Sequence, residues 1–274
     1  MFKYAICNET FKDWSWERTL ELVAQVGYDG LEVAPFTLAE KVTDIDARRR
    51  GELRRAAEAA GVPVIGLHWL LVKPAGLHLT TPDDAVRNLT ADYFVELVRF
   101  CADLGGRVMV IGSPKQRSLL PGVSREQGLK NARGVFERAL PEAARLGVTL
   151  AIEPLTPRET DFINTAEDGI GLIEAIRHPN FRLHLDVKAM TGSEKRPLPD
   201  VIRASAKHLA HFHSNDPNLL GPGMGSVDHR PILAALKEAG YEGYVSVEVF
   251  DYTPGAEKIA RDSLRYLRSV APQA

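Results

Sequence analysis

Short runs rich in Val, Ile and Leu alternate along this chain with longer segments whose apolar residues recur every three or four positions, and the pair repeats eight times. Such alternation folds as a parallel sheet, because each helix carries the chain back to start the next strand beside the last. The strands are expected at Tyr4–Cys7, Gly30–Ala34, Val62–His68, Arg107–Ile111, Val148–Ile152, Phe181–Leu185, Leu209–Phe212 and Tyr244–Val247. Between and after them, helices are expected at Ser15–Val26, Asp46–Ala60, Asp83–Leu104, Ser124–Leu146, Ala166–Ile176, Asp200–Ala206, Arg230–Ala239 and Ala256–Leu267. Ser15 suits an N-cap, and Gly27, Gly61, Gly147 and Gly240 stand where helices end. Pro63 lies at the start of its strand, where a missing N–H is tolerated.

Eight such units in 274 residues, with no linker or composition break, argue for closure, since a closed barrel removes both sheet edges. An open doubly wound sheet is the competitor. No Gly-rich dinucleotide fingerprint follows the first strand, and there is no P-loop. The expectation is an α/β chain forming a single (β/α)₈ TIM barrel, one catalytic domain over residues 1–274.

The bulk properties narrow the function. A net charge of −2 with no basic stripe gives nucleic acid no electrostatic footing. The runs Arg48-Arg49-Arg50 and Arg54-Arg55 read as a solvated helix face. Cys7 and Cys101 are too few and too far apart for a disulfide framework, which fits a reducing cytosol. The N-terminus lacks a signal-peptide apolar core. No apolar run approaches the roughly 18 residues needed to span a bilayer. The cytoplasm is the expected location, and the tail Ala271–Ala274 is expected to fray.

In a barrel of this kind the chemistry sits at the C-terminal ends of the strands. Those ends read Glu32, His68, Gly112-Ser113, Glu153, Asp186, His213 and Glu248. Any one carboxylate there could simply cap the next helix. Glu153 and Glu248, however, lie in apolar runs, where an ionised carboxylate is costly unless paired or metal-bound. Glu153, Asp186, His213 and Glu248 end four consecutive strands and converge on one volume. A single divalent cation relieves their repulsion, and hard oxygen ligands with one imidazole suit Mn²⁺, Mg²⁺, Co²⁺ or Fe²⁺.

The same four positions carry a resemblance. Ile-Glu-Pro at Glu153, His-Leu-Asp at Asp186, His-Phe-His at His213 and Val-Glu-Val-Phe at Glu248 resemble the xylose-isomerase-like barrels. The pattern is nearest to the ketose 3-epimerases of the tagatose and psicose type and their sugar-phosphate isomerase relatives. The resemblance covers nearly the whole chain. It implies that Glu153 and Glu248 both ligate the metal and move protons on opposite faces of a substrate carbon. It makes Asp186 and His213 the remaining ligands and Glu159 a substrate contact. The implied reaction is isomerisation or epimerisation of a ketose or its phosphate, through a cis-enediolate stabilised by the metal. The resemblance also allows a homo-oligomer.

Two departures bear on the substrate pocket. The epimerases have a histidine two residues after the metal aspartate, where this chain has Lys188. They have a Gly-Glu-x-Asn-Arg stretch after the metal histidine, where this chain reads Ser214-Asn215-Asp216-Pro217-Asn218. Lys188 is expected to share the direction of Asp186, two residues away on an extended chain, and to bind a hydroxyl, carboxylate or phosphate. His68 and Trp69 are expected to touch the sugar, and Asn215 and Asp216 to line the pocket mouth. Glu32 is expected at the site through a ligand that it orients. Lys115 and Gln116 are weaker candidates. Gly221–Gly225 reads as a tight turn over the site. A dehydratase of the same superfamily and a non-catalytic sugar-binding barrel are the rival readings. An apurinic endonuclease would need more ligands for a three-metal cluster.

Overall fold

A computed structural model describes residues 2–272; the expected fraying of Gln273 and Ala274 lies outside the described residues. Eight parallel strands close into a barrel in chain order, with β8 pairing back onto β1. The strands are β1 (Lys3–Cys7), β2 (Gly30–Val33), β3 (Val64–Leu67), β4 (Val108–Ile111), β5 (Thr149–Ile152), β6 (Phe181–Asp186), β7 (Leu209–Ser214) and β8 (Tyr244–Val247). The helices that return the chain are α1 (Trp16–Val26), α2 (Ala47–Ala59), α3 (Asp84–Asp103), α4 (Arg125–Leu146), α5 (Ala166–Ile176), α6 (Val187–Ser193), α7 (Leu198–Ser205), α8 (His229–Glu238) and α9 (Ala256–Val270). Every expected strand and helix is present, with ends moved by a few residues.

Local chemistry sets the helix ends. Ser15, Asp46, Asp83, Ser124 and Asp228 each accept a bond from a backbone N–H of the first turn of the helix they precede. Gly27 and Gly147 close α1 and α4 in the left-handed conformation that favours glycine. The arginines of α2 are only in part a solvated face. Arg48 and Arg49 pair with Glu52 in water, but Arg50 folds inward and donates to the carbonyls of Val42 and Ile45.

One helix is absent from the sequence reading. Asp186 accepts from the Ala189 N–H at 2.7 Å and so starts α6 immediately after β6. Lys188 is therefore on a helix, and the extended-chain argument for its direction is wrong. The N-cap bond competes with the strand and wins within one residue.

The two faces of the sheet differ. Leu31, Val33, Met109, Ile111, Leu150, Ile152, Phe181, Leu183, Phe212, Val245 and Val247 join the apolar layer under the helices. Most of the residues that alternate with them are small or polar, with Val108 and Val110 of β4 the apolar exceptions. Glu32 on β2 reaches His211 and His213 on β7, and Cys7 on β1 lies 4.0 Å from His213. These strands are not neighbours, so the contacts cross the barrel. The interior thus holds a buried polar network in place of the branched apolar layers that commonly fill such barrels.

Candidate active site

The ends of β3, β4, β5 and β8, with Lys188 at the start of α6, surround one pocket. Its walls include His68, Trp69, Gly112, Glu153, Leu155, Glu159, Lys188, Glu248 and Phe250. Beneath them lie Asp186 and His213, both buried. The four expected ligands thus meet at one end of the barrel. His213 Nδ1 lies 3.1 Å from Glu248 Oε2, and Glu153, Asp186 and His213 each offer an atom to a cluster with none more than 4.8 Å apart. His184, two residues before Asp186, is the fourth member of that cluster.

Electrostatics sets the carboxyls apart. Burial and the neighbouring Glu248 and Asp186 push Glu153 well above the usual carboxylate range. Burial also raises Asp186, to about 6, although Lys188 offsets part of the cost. Burial acts on Glu248 in the same direction, but the His213 imidazole outweighs it and holds this carboxyl below its ordinary value. His213 is pulled the opposite way: burial opposes its charge, while Glu32 and Glu248 raise it well above the normal histidine range. Three carboxyls and an imidazole in so little space with no counter-cation force a proton onto at least one of them. A divalent cation would replace that proton, so the donor set fits a metal.

Glycine matters at one strand end. A Cβ on Gly112 would lie 2.1 Å from Glu153 Oε2, so the bare backbone of residue 112 is what lets this carboxylate lie across the end of β4. Trp69 holds φ at +52° as it turns from His68 into the pocket wall, a conformation that costs a bulky residue free energy. Its ring meets Phe250 edge-on at 6.2 Å.

Several expected contacts are placed elsewhere. Glu32 is fully buried and does not line the pocket; it accepts from His211 Nε2 at 2.9 Å and His213 Nε2 at 3.1 Å. That bond leaves Nδ1 of His213 facing Glu248. Asp216 is also buried away from the pocket, where it accepts from the Val227 N–H and packs against Gly225. Asn215 binds Asp186 Oδ2 at 2.5 Å and accepts from the Lys188 N–H, so it positions the aspartate and α6 and does not line the mouth. Gly221 and Gly223 press against Ser263 and Tyr266 of α9, so their loop folds back on the barrel wall and does not cover the site. Lys115 and Gln116 lie on a short 3₁₀ turn outside the pocket wall.

Lys188 does reach the pocket. Its Nζ donates to Glu159 Oε1 at 2.7 Å and stands 4.0 Å over the Phe250 ring. Sequence reasoning missed Phe250 and Glu9, and named Gly112 only as a strand end. Glu9 sits on the 3₁₀ turn Asn8–Phe11 after β1, and its Oε2 lies 2.7 Å from His68 Nε2. The signal available for Glu9 was its place just beyond a strand end, which the list of strand ends stopped short of. Arg117 was missed too: it is fully buried after β4, donates to the Ile111 carbonyl and supplies positive charge near Glu153.

A closed (β/α)₈ barrel with a buried carboxylate and imidazole cluster at its strand ends defines a class of barrel enzymes whose chemistry lies at that end. The chain is 30% identical over 237 residues to an L-ribulose 3-epimerase of Mesorhizobium japonicum, covering 85% of this chain and 75% of that protein. It is 28% identical over 239 residues to a D-psicose 3-epimerase of Ruminiclostridium cellulolyticum, covering 84% and 77%. A solved D-psicose 3-epimerase with D-tagatose from Clostridium cellulolyticum H10 shares the fold, with a TM-score of 0.87 over 99% of this chain and 100% of that one at 21% identity. The xylose isomerase-like TIM barrel family model matches residues 20–270, and the chain belongs to that family. It is an enzyme of the broad isomerase and epimerase class of these relatives. Among the described residues no helix is long and apolar enough to cross a membrane.

Proposed function

We propose that this enzyme epimerises a free ketose at the carbon beside its carbonyl, with Glu153 and Glu248 as the two proton carriers. The observation that carries the reading is that both carboxyls line one pocket, together with apolar walls and the Glu159–Lys188 pair. Glu248 takes the C–H proton from one side, and Glu153 returns a proton to the other; the reverse reaction exchanges the roles. Trp69, Leu155 and Phe250 give the sugar apolar walls that exclude water, and Glu159 and Lys188 offer an acceptor and a donor for its hydroxyls.

Glu153, Asp186, His213 and Glu248 would hold one divalent cation, Mn²⁺, Mg²⁺ or Co²⁺. Bound there, it would supply Lewis acidity toward the substrate oxygens. A free sugar fits better than a phosphate, because among the described residues Lys188 is the one lysine or arginine in the pocket wall and Glu159 already neutralises it. The relatives named as L-ribulose and D-psicose 3-epimerases support the reaction type.

The test is turnover of a panel in D₂O with Mn²⁺ or Co²⁺: free ketohexoses and ketopentoses, their phosphates, and inosose. An epimer carrying one deuterium beside the carbonyl, formed from free sugars faster than from phosphates, is expected. Loss of water from the substrate would transfer the chain to the dehydratases. Binding without exchange on any member would mean a sugar-binding barrel.

A further inference from the structure

Among the described residues, His184 is the one histidine at the centre of the barrel with neither ring nitrogen hydrogen-bonded. It follows the inward alternation of β6, two residues before Asp186, and is fully buried. His211 and His213 bond to Glu32, and His68 bonds to Glu9. Both Nδ1 and Nε2 of His184 have no hydrogen-bond partner. A neutral imidazole carries one donor and one acceptor, and folded proteins rarely bury both unpaired. The ring stands 4.2 Å from the His213 ring, nearly perpendicular to it, and its Nε2 lies 3.8 Å from Glu153 Oε1. One atom each from Glu153, His184, Asp186 and His213 falls within 4.8 Å of all the others, a spacing that one coordinated ion can span.

We propose that His184 is a ligand of the divalent cation, reaching it from the interior side of the barrel, so that the site holds two imidazoles where the strand ends alone supply one. The inference rests on the metal-dependent reading given above. A second imidazole would shift the preference from Mg²⁺ and Mn²⁺ toward Co²⁺, Fe²⁺ and Zn²⁺.

The first measurement uses the intact wild-type enzyme, with ¹⁵N-labelled histidine and Mn²⁺ added, and counts coordinated nitrogens by pulsed electron paramagnetic resonance. Two imidazole nitrogens are expected. One nitrogen overturns the proposal and leaves the four-ligand reading standing; no bound ion overturns both. The second compares Co²⁺ and Mg²⁺ affinity by calorimetry in wild type and His184→Leu, with circular dichroism to confirm that the variant is folded. The Co²⁺ preference should fall roughly tenfold or more in the variant. An unchanged ratio overturns the proposal.

Discussion

The two halves of the barrel mouth do different work. Strands β5 to β8 end in Glu153, Asp186, His213 and Glu248, side chains that can meet a cation or a substrate. Strands β1 to β4 add His68 and Trp69 to the pocket wall and otherwise place groups that act through others: Glu32 holds the His213 ring, Glu9 holds His68, and Gly112 makes room for Glu153. The difference teaches that the proposed reacting set is compact in sequence order, while the scaffold that would aim it comes from across the barrel. Substitutions in the second half should therefore remove chemistry, and those in the first half should misplace it.

The largest effect belongs to the second half. Glu153→Gln and Glu248→Gln keep the shape but cannot carry a proton, and each should lower turnover by roughly 10² to 10⁴. Both proteins should fold as wild type does, read by circular dichroism. If either retained near-wild-type turnover, the two-carboxylate scheme would be wrong. Next is Gly112→Ala, from the first half. Its methyl group would meet Glu153 Oε2 at 2.1 Å, so the carboxylate must move. A displacement of that order costs about 10² in turnover. A fully active Gly112→Ala would show that Glu153 need not lie where it does.

The proposed reacting set was legible in the sequence and the bonds that aim it were not, for a physical reason. Barrel topology sends each strand's last residue to one end, so reading the strand ends finds Glu153, Asp186, His213 and Glu248 without knowing any contact. The aiming bonds join β2 to β7, and the turn after β1 to the end of β3, with separations of 181 and 59 residues. No local pattern encodes such pairs. Glu32 stood at a strand end and was named, but it does not line the pocket, because the registers of β2 against β1 and β3 set the level at which it meets His211 and His213 across the barrel. Asp216 and Asn215 misled because their loop turns back at Asp216 to bond Val227, which lies after the glycines. Lys188 was placed in the pocket by a wrong route, since the cap at Asp186 starts a helix that sequence reading ran through as strand.

A third prediction separates aiming from reacting. Glu32→Gln removes the charge that holds the His213 ring without touching the pocket. Cation affinity should fall roughly 10- to 100-fold, while turnover at saturating Mn²⁺ largely recovers. Turnover lost as fully as in Glu153→Gln, with the cation bound, would erase the division between the halves.

The smallest effect is a difference in pH dependence between the same two halves, measured on cation-free protein. Asp186 is raised from 3.8 to about 6, chiefly by burial. A carboxyl raised in the folded state contributes stability below its unfolded value and loses it as pH rises through the folded one. Between pH 4 and 6, ionising Asp186 should therefore cost the chelated enzyme up to about 3 kcal/mol. Glu32 is opposite. Burial opposes its charge, but His211 and His213 hold it well below the usual range, so its contribution is complete above the unfolded value and lost only in stronger acid. Thermal midpoints in chelator should show wild type losing ground to Asp186→Asn from pH 4 to 6. Against Glu32→Gln, wild type should show no such loss over that range. Mn²⁺ should restore wild type and do far less for Asp186→Asn, because the ion takes the place of the missing proton. A wild-type curve that runs parallel to Asp186→Asn throughout would mean that Asp186 is not strained by its burial and has no need of a cation to relieve it.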